Sequence, residues 1–322
     1  MRIYRHYRDV PDAFRGAVVA LGNFDGVHRG HQALIGEARR LAKERSALLG
    51  VLAFEPHPQE FFRPSPVSFR LTPLRAKSRL IAAQGADVMY ALHFDSEMAS
   101  KSAEEFVMEV LIGGLGVRHV VVGADFQFGQ RRTGNVTTLG TMGSAEGFGV
   151  TVFDPVAVPG HGKISSTRIR DALREGRPEE AAGLLGHWWT VEARVEHGDK
   201  RGRALGFPTA NMRLIDCLKP AFGIYAARAA IMEDERAIAH HDGVANFGIR
   251  PMFAAEVPLL ETFLFDFDAD LYGRHLAVEL IAYLRPEAKL ESIEALKAQI
   301  AEDSAAARRF LAGAPRTPPF EI

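Results

Sequence analysis

The residues with the clearest chemical content lie in one stretch near the amino end: Gly22-Asn23-Phe24-Asp25-Gly26-Val27-His28-Arg29-Gly30-His31. An apolar run, Ala17 to Leu21, precedes it and reads as a buried strand of a parallel sheet. After it, from His31 to Ser46, Leu34, Ala38, Leu41 and Ala42 recur at helical spacing. The stretch is therefore a strand-to-helix turn, and its glycines let the backbone bend sharply and approach a ligand closely. A helix amino end offers unpaired N–H groups and about half a positive charge, which favours an anion. His28 and His31, three residues apart, share one face of the first helical turn. Two readings follow: the imidazoles cap and pack against the helix start, or they meet the charge that builds on an α-phosphate during nucleotidyl transfer. Such a transfer needs positioning and electrostatics, not an enzyme nucleophile. Zinc is poorly supplied, since the chain has a single cysteine, Cys217.

Three further stretches carry reactive or phosphate-binding residue types. Lys163-Ile164-Ser165-Ser166-Thr167-Arg168-Ile169-Arg170 sets hydroxyls and arginines at another helix start, as an anion grip or as an ordinary cap with surface arginines. Gly198-Asp199-Lys200-Arg201-Gly202-Arg203-Ala204-Leu205-Gly206 is a glycine-rich basic loop, fit to fold over phosphates or to form a charged hairpin tip. It runs into Phe207-Pro208-Thr209-Ala210-Asn211, whose Thr hydroxyl and Asn carbonyl are hard oxygen ligands of the kind Mg²⁺ takes. Glu261 stands in an apolar strand, Leu259 to Phe267, on one face with Phe263, Phe265 and Phe267. A carboxylate there needs a partner or a task; as a general base it would take the proton of an attacking alcohol. Neither G-x-x-x-x-G-K-[ST] nor G-x-G-x-x-G occurs, so a P-loop and a dinucleotide fingerprint are unsupported.

The elements that must hold these residues change character along the chain. Strands are expected at Leu48–Phe54, Asp87–Leu92, Arg118–Val122 and Val150–Phe153, and helices at Leu74–Gln84, Ser102 to Leu115, Ser165–Glu175 and Pro178–Leu185. Glu55 to Pro66 reads as a proline-rich loop. This alternation argues a doubly wound α/β sheet, which binds ligands at the carboxyl ends of its strands. From Trp188 the pattern is strands alone: Thr190–Glu196, Thr209–Leu214, Ile224–Met232, Val244–Phe247, Leu259–Phe267 and Leu276–Leu284. Six such strands fit a small antiparallel β-barrel, closed by a helix from Ser292 to about Leu311. The expected domains are 1–185 and 186–322. The length of 322 residues suits two domains, and the net charge of -1 gives no general attraction to nucleic acid or anionic membrane. No apolar run is long enough to span a bilayer, and the amino end lacks a signal-peptide core, so a cytoplasmic protein is expected.

G-N-F-D-G-V-H-R-G-H carries the HxGH motif of the nucleotidylyltransferase superfamily. With Phe54-Glu55-Pro56-His57-Pro58, Gly123-Ala124-Asp125-Phe126-Gln127-Phe128-Gly129, Ile164-Ser165-Ser166-Thr167-Arg168-Ile169-Arg170 and Pro208-Thr209-Ala210-Asn211, the chain resembles the prokaryotic bifunctional riboflavin kinase/FAD synthetase family from end to end. Asp270-Leu271-Tyr272-Gly273 and Val244-Ala245-Asn246-Phe247-Gly248-Ile249-Arg250-Pro251 match it too.

The resemblance implies a first domain that adenylylates FMN to FAD and a barrel that phosphorylates riboflavin to FMN, both with ATP and Mg²⁺. It implies that His28 and His31 hold the ATP phosphates at the transition state, with Gly22, Asn23 and Gly30 in the phosphate-binding turn. Ser165, Ser166, Thr167 and Arg168 would hold the departing pyrophosphate, and Phe62 and Phe128 would wall the isoalloxazine ring. In the barrel, Thr209 and Asn211 would hold Mg²⁺ and phosphates beneath the Gly202 loop, while Glu261 activates the riboflavin 5′-hydroxyl. Expected partners are riboflavin, FMN and ATP, with a weak homo-oligomer left open. Departures are Gln127 for a usual arginine, Ala53 for threonine, Gly186-His187-Trp188-Trp189 for G-R-P-Y, and Met252 for the threonine of R-P-T. Competing readings are another HxGH transferase, such as one acting on a pantetheine phosphate, and a non-catalytic flavin binder.

Overall fold

The computed structural model describes residues 1–65, 68–154, 157–158, 162–198, 206–233, 236–252, 255–289 and 291–315. Among these, one compact unit holds residues 1–65 and 72–165, and a second holds residues 68–71 and 166–315. The two helices between Ser166 and Leu185 thus pack with the barrel.

The first unit begins with β1 (Arg2–Tyr4), β2 (Val18–Leu21), α1 (Arg29–Glu44), β3 (Leu49–Glu55), α2 (Pro58–Phe62), α3 (Leu74–Ala83) and β4 (Val88–His93). It continues with α4 (Ser96–Ser100), α5 (Ala103–Glu105, running on as a π-helical stretch over Phe106–Gly114), β5 (His119–Gly123), β6 (Gln127–Phe128), β7 (Gly134–Asn135), α6 (Val136–Glu146), β8 (Gly149–Phe153), β9 (Ala157–Val158) and β10 (Gly162–Lys163). Six strands form one sheet in the order β1-β4-β3-β2-β5-β8, every neighbour parallel. The sheet is doubly wound, and the alternation of its strands divides the core. Val18, Ala20, Val51 and Ala53 pack with Leu34, Ile35, Ala38 and Leu41 of α1. Val19, Leu21, Leu52, Val120 and Val122 pack on the other face with Phe106, Val110 and Leu111. Both faces are covered, which is why β2 reads as an unbroken apolar run rather than an alternating one.

The second unit consists of α7 (Ser166–Arg174), α8 (Pro178–Leu185), β11 (Thr190–Arg194), β12 (Thr209–Arg213), β13 (Gly223–Glu233), β14 (Arg236–Met252), β15 (Ala255–Leu264), β16 (His275–Arg285) and α9 (Ile293–Gly313). Its six strands are antiparallel in the order β11-β16-β13-β14-β15-β12. Glu196, just past β11, bridges Asn211 of β12, so the two edges of the sheet meet and the barrel closes. The bridge carries a Glu196 N–H to Asn211 carbonyl bond of 2.8 Å and an Arg213–Glu196 ion pair of 2.7 Å. Helix α9 lies against β13, β14 and β16. Arg228 of β13 donates to the carbonyls of Leu311, Ala314 and Pro315 at its end. Arg285 of β16 forks onto Asp303 of α9 at 2.8 and 2.7 Å.

Some expectations change. The loop from Glu55 contains α2, started by Pro58 and capped by His57, which accepts from the Gln59 N–H. Helix α6 has little apolar periodicity in Val-Thr-Thr-Leu-Gly-Thr-Met-Gly; it is nucleated by Asn135, which accepts from the N–H groups of Thr137 and Thr138. Strand β14 is far longer than Val244–Phe247 because its polar half pairs with β13 through a long hairpin ladder. Strand β15 ends at Leu264, short of the expected Phe267, and Asp266 adopts a left-handed φ of 55°. Phe265 is buried in the core beneath Arg308 and still meets Phe263 edge-on at 5.9 Å.

Asp303 is 7% exposed and holds a guanidinium that lines the barrel cavity. Asp303→Ala leaves Arg285 without its fork partner; a loss of about 1–3 kcal/mol, discounted for the partial exposure of the arginine, is expected in denaturant unfolding.

Candidate active sites

The turn after β2 is held in an unusual backbone. Gly26 has φ 86°, and two non-glycine residues, Phe24 (φ 50°) and Val27 (φ 40°), also lie in the left-handed region. Such residues persist only where the surroundings over-determine them. Here both side chains are buried in the core against α1 and the sheet. Asp25 turns inward and accepts from the Thr72 N–H at 3.0 Å, while the Thr72 hydroxyl accepts from the Gly26 N–H at 2.9 Å. Sequence reasoning did not find Thr72, which lies 47 residues beyond Asp25.

This cage delivers the two histidines. His28 is the N-cap of α1, and its Nδ1 accepts from the His31 N–H at 3.3 Å. The two imidazoles stack at 3.6 Å, nearly parallel at 12°, and Phe24 meets His31 edge-on at 5.2 Å. Gly30 leaves room for this stack, because a Cβ there would come within 3.2 Å of the His28 ring. So the capping role and the paired-imidazole role coexist. Burial, then the charges of His28 and Lys77, hold the His31 imidazole well below the ordinary histidine range. His31 is therefore neutral near pH 7 in the ligand-free protein. Its Nδ1 is buried with no hydrogen-bond partner among the described residues. Lys77, 2% exposed on α3, sits 3.9 Å from the Glu55 carboxylate. This buried ion pair, also absent from the sequence reading, sets the lysine charge that lowers His31 beside a compensating carboxylate.

The other expected residues are each placed by their own element. Gly22 ends β2 and donates to the Leu52 carbonyl, and Asn23 is exposed. Phe62 ends α2 with its ring 64% exposed and edge-on to Phe61 and Phe94. Phe128 is buried between Phe106 and Phe126, stacked on the latter at 5.5 Å. Phe126 is only half-buried and presents the outer ring. Ser165 precedes α7; Ser166, Thr167 and Arg168 form its first turn, and Arg168 binds Glu180 of α8 at 3.0 Å.

The barrel encloses a cavity of about 660 Å³, lined among others by Thr209, Asn211, Asn246, Glu261, Phe263 and Arg285. Register brings the polar residues into a row: Asn211 of β12 pairs with Glu261 of β15, which pairs on its other side with Asn246 of β14. Directly paired residues point to the same face, with Cβ atoms about 5 Å apart. The Asn211 and Asn246 Oδ1 atoms are buried, and neither has a hydrogen-bond partner among the described residues. The Asn211 Nδ2 donates to the Thr209 carbonyl at 3.1 Å, which fixes its oxygen outward from that bond. Gly198 packs against this amide: a Cβ there would lie 2.7 Å from the Asn211 Nδ2. Gly202 lies outside the described residues. Asn246 was missed as a site residue, although it carries the same signal as Glu261, a polar side chain in an apolar strand.

Similarity to known proteins runs the length of the chain. A family described as FAD synthetase matches residues 10–168, and one described as Riboflavin kinase matches residues 185–311. A protein of Escherichia coli strain K12 named bifunctional riboflavin kinase/FMN adenylyltransferase is 40% identical over 295 residues, 92% of this chain and 93% of its own. A Pseudomonas fluorescens protein of the same name is 40% identical over 97% of this chain and 98% of its own. A crystal structure from Streptococcus pneumoniae, titled a macrolide-efflux protein, superposes with a TM-score of 0.83 at 30% identity, covering 95% of this chain and 98% of that one. Among the described residues, no helix is long and apolar enough to cross a membrane.

The buried, charge-flanked imidazole makes a testable statement. In the ligand-free protein the His31 ring titrates below 6.5, so its neutral form is retained on folding and stability falls as pH drops below the unfolded value of about 6.5. Tripolyphosphate bound at the turn would raise that midpoint. Ring-proton NMR, with and without the anion, reads both; a midpoint at or above 6.5 in the free protein contradicts the stacked, desolvated pair.

Proposed function

Because the chain belongs to the bifunctional riboflavin kinase/FMN adenylyltransferase family, we propose that its two reactions are divided between the His28–His31 turn and the Asn211–Glu261 row. The enzyme transfers the γ-phosphoryl of ATP to riboflavin, giving FMN and ADP, and the adenylyl group of a second ATP to FMN, giving FAD and pyrophosphate. We assign adenylyl transfer to residues 1–185, phosphoryl transfer to 186–322, and the work to the cytoplasm. The observation that carries the assignment is the convergence of Thr209, Asn211 and Glu261 on one cavity.

In adenylyl transfer, an FMN phosphate oxygen attacks the α-phosphorus of ATP and pyrophosphate leaves. FMN enters with its phosphate ionised, so no general base is required. The task left to the protein is to hold charge: the amino end of α1, the His28–His31 stack and the phosphate-binding turn at Gly22, Asn23 and Gly30 face the α-phosphate. Phosphate charge restores the proton affinity that burial removes from His31. Ser165, Ser166, Thr167 and Arg168, hydroxyls and a guanidinium at the start of α7, are assigned to pyrophosphate binding. Phe62 offers an exposed ring to the isoalloxazine, and Phe128 backs Phe126.

In phosphoryl transfer, Glu261 accepts the proton of the 5′-hydroxyl as that oxygen attacks the γ-phosphorus. The buried, unpartnered Asn211 Oδ1 and the Thr209 hydroxyl are oxygens suited to Mg²⁺. When bound with ATP, Mg²⁺ supplies charge neutralisation at the phosphates. Gly202, in the glycine-rich basic run that precedes Thr209 in sequence, is assigned to phosphate binding.

Product chromatography separates the two halves. His31→Ala lowers FAD formation from FMN by about 100-fold or more while FMN formation from riboflavin persists. Glu261→Gln does the reverse, by a similar factor. Chelation of Mg²⁺ stops both. Equal loss of both reactions in either variant overturns the division.

A further inference from the structure

We propose that Asn246 is a specificity residue of the riboflavin kinase site, accepting a hydrogen bond from the ribityl hydroxyl next to the one that is phosphorylated. The proposal rests on the assignment of Glu261 as the residue facing the 5′-hydroxyl. Strand order then fixes two sides. Glu261 lies on β15; β12, with Thr209 and Asn211, flanks it on one side, and β14, with Asn246, flanks it on the other. The phosphates occupy the Thr209–Asn211 side. The nucleophile's carbon chain must leave on the opposite side, because donor and acceptor approach the phosphorus roughly in line. That side belongs to Asn246.

The surroundings agree with this direction. Beyond Asn246 the wall offers apolar side chains, Val244 on β14, Ile224 on β13 and Leu296 and Ile300 of α9, beside the Arg285–Asp303 ion pair. A flat, largely apolar ring system fits there, and a polyol linker would then span the distance from this wall to Glu261. Neighbouring strands are about 4.8 Å apart, and successive polyol hydroxyls are one carbon apart, so adjacent hydroxyls reach side chains on adjacent strands. The Asn246 Oδ1 is buried and has no hydrogen-bond partner among the described residues. A buried acceptor without a partner is a costly feature to keep, and a hydroxyl donor from the substrate satisfies it. A site built to bind a substrate hydroxyl also rejects the analogue that lacks it.

The test measures kcat/KM for FMN-type product formation from riboflavin and from 4′-deoxyriboflavin, using the full chain. The wild-type enzyme is expected to prefer riboflavin by about tenfold or more. Asn246→Leu, close in volume but unable to accept, is expected to bring that preference below about threefold, through loss of activity on riboflavin. Asn246→Asp keeps an acceptor oxygen and is expected to keep the preference. FAD formation from FMN by the same preparations reports whether the chain is intact, and Asn246→Ala replaces the leucine variant if that one does not fold. A wild-type enzyme that uses both substrates equally overturns the proposal, as does a leucine variant that is slower but keeps the wild-type ratio. A wild-type chain that makes FAD from FMN yet no FMN from riboflavin removes the underlying kinase assignment, and the proposal with it.

Discussion

A polar atom buried without a partner destabilises a folded chain, and both sites are built around such atoms held on stiff backbone. In the first unit it is the Nδ1 of His31; in the barrel it is the paired amide oxygens of Asn211 and Asn246. Neither arrangement would survive on a flexible loop, where water or a backbone N–H would reach the orphaned atom. The His31 ring is confined by the stack with His28 and the edge of Phe24. The amides are confined by strand register, which leaves each beside Glu261. On the proposed function, a ligand would complete the hydrogen bonding that the fold leaves open, directing binding energy to the reacting groups.

The two units reach this end by different means. The turn after β2 depends on backbone strain, with Phe24 and Val27 in left-handed conformations because their side chains are fully enclosed. Asp25 and Thr72 tie the same turn to a distant segment. The barrel needs no strained residue at its row, since an antiparallel ladder aligns paired side chains on one face. Its constraint is closure. The Glu196–Asn211 bridge joins the sheet's edges at the residue that also carries one of the open amide oxygens.

Electrostatics separate the sites further. The turn after β2 has a depressed histidine, and the lysine charge that helps depress it is paired to Glu55, so in the free protein the turn holds no protonated His31. The stacked rings could not both be charged at 3.6 Å without strong repulsion. An arriving polyphosphate changes that balance. The barrel row is neutral amide on either side of one carboxylate, Glu261, the residue proposed to face the hydroxyl.

The sequence by itself determined the class of both folds, the strand-to-helix turn, and the residue types that do chemistry. Short continuous apolar runs between turn residues fit strands covered on both faces, and glycine, histidine and acid at fixed spacing survive as local patterns. The ends of the strands that were read lay within about four residues, apart from β14, whose polar half forms only because β13 lies beside it; edge strand β1, three residues long, was not read. What only the tertiary structure decided are relations between distant residues: Asp25 with Thr72, Lys77 with Glu55, and Asn246 with Glu261. It also decided that His31 is neutral and that Phe128 is buried behind Phe126. These depend on burial and register, which are set when segments far apart in the chain pack together. Local spacing carries no record of them, so a turn that announces phosphate chemistry in the sequence acquires its proton balance only in the fold.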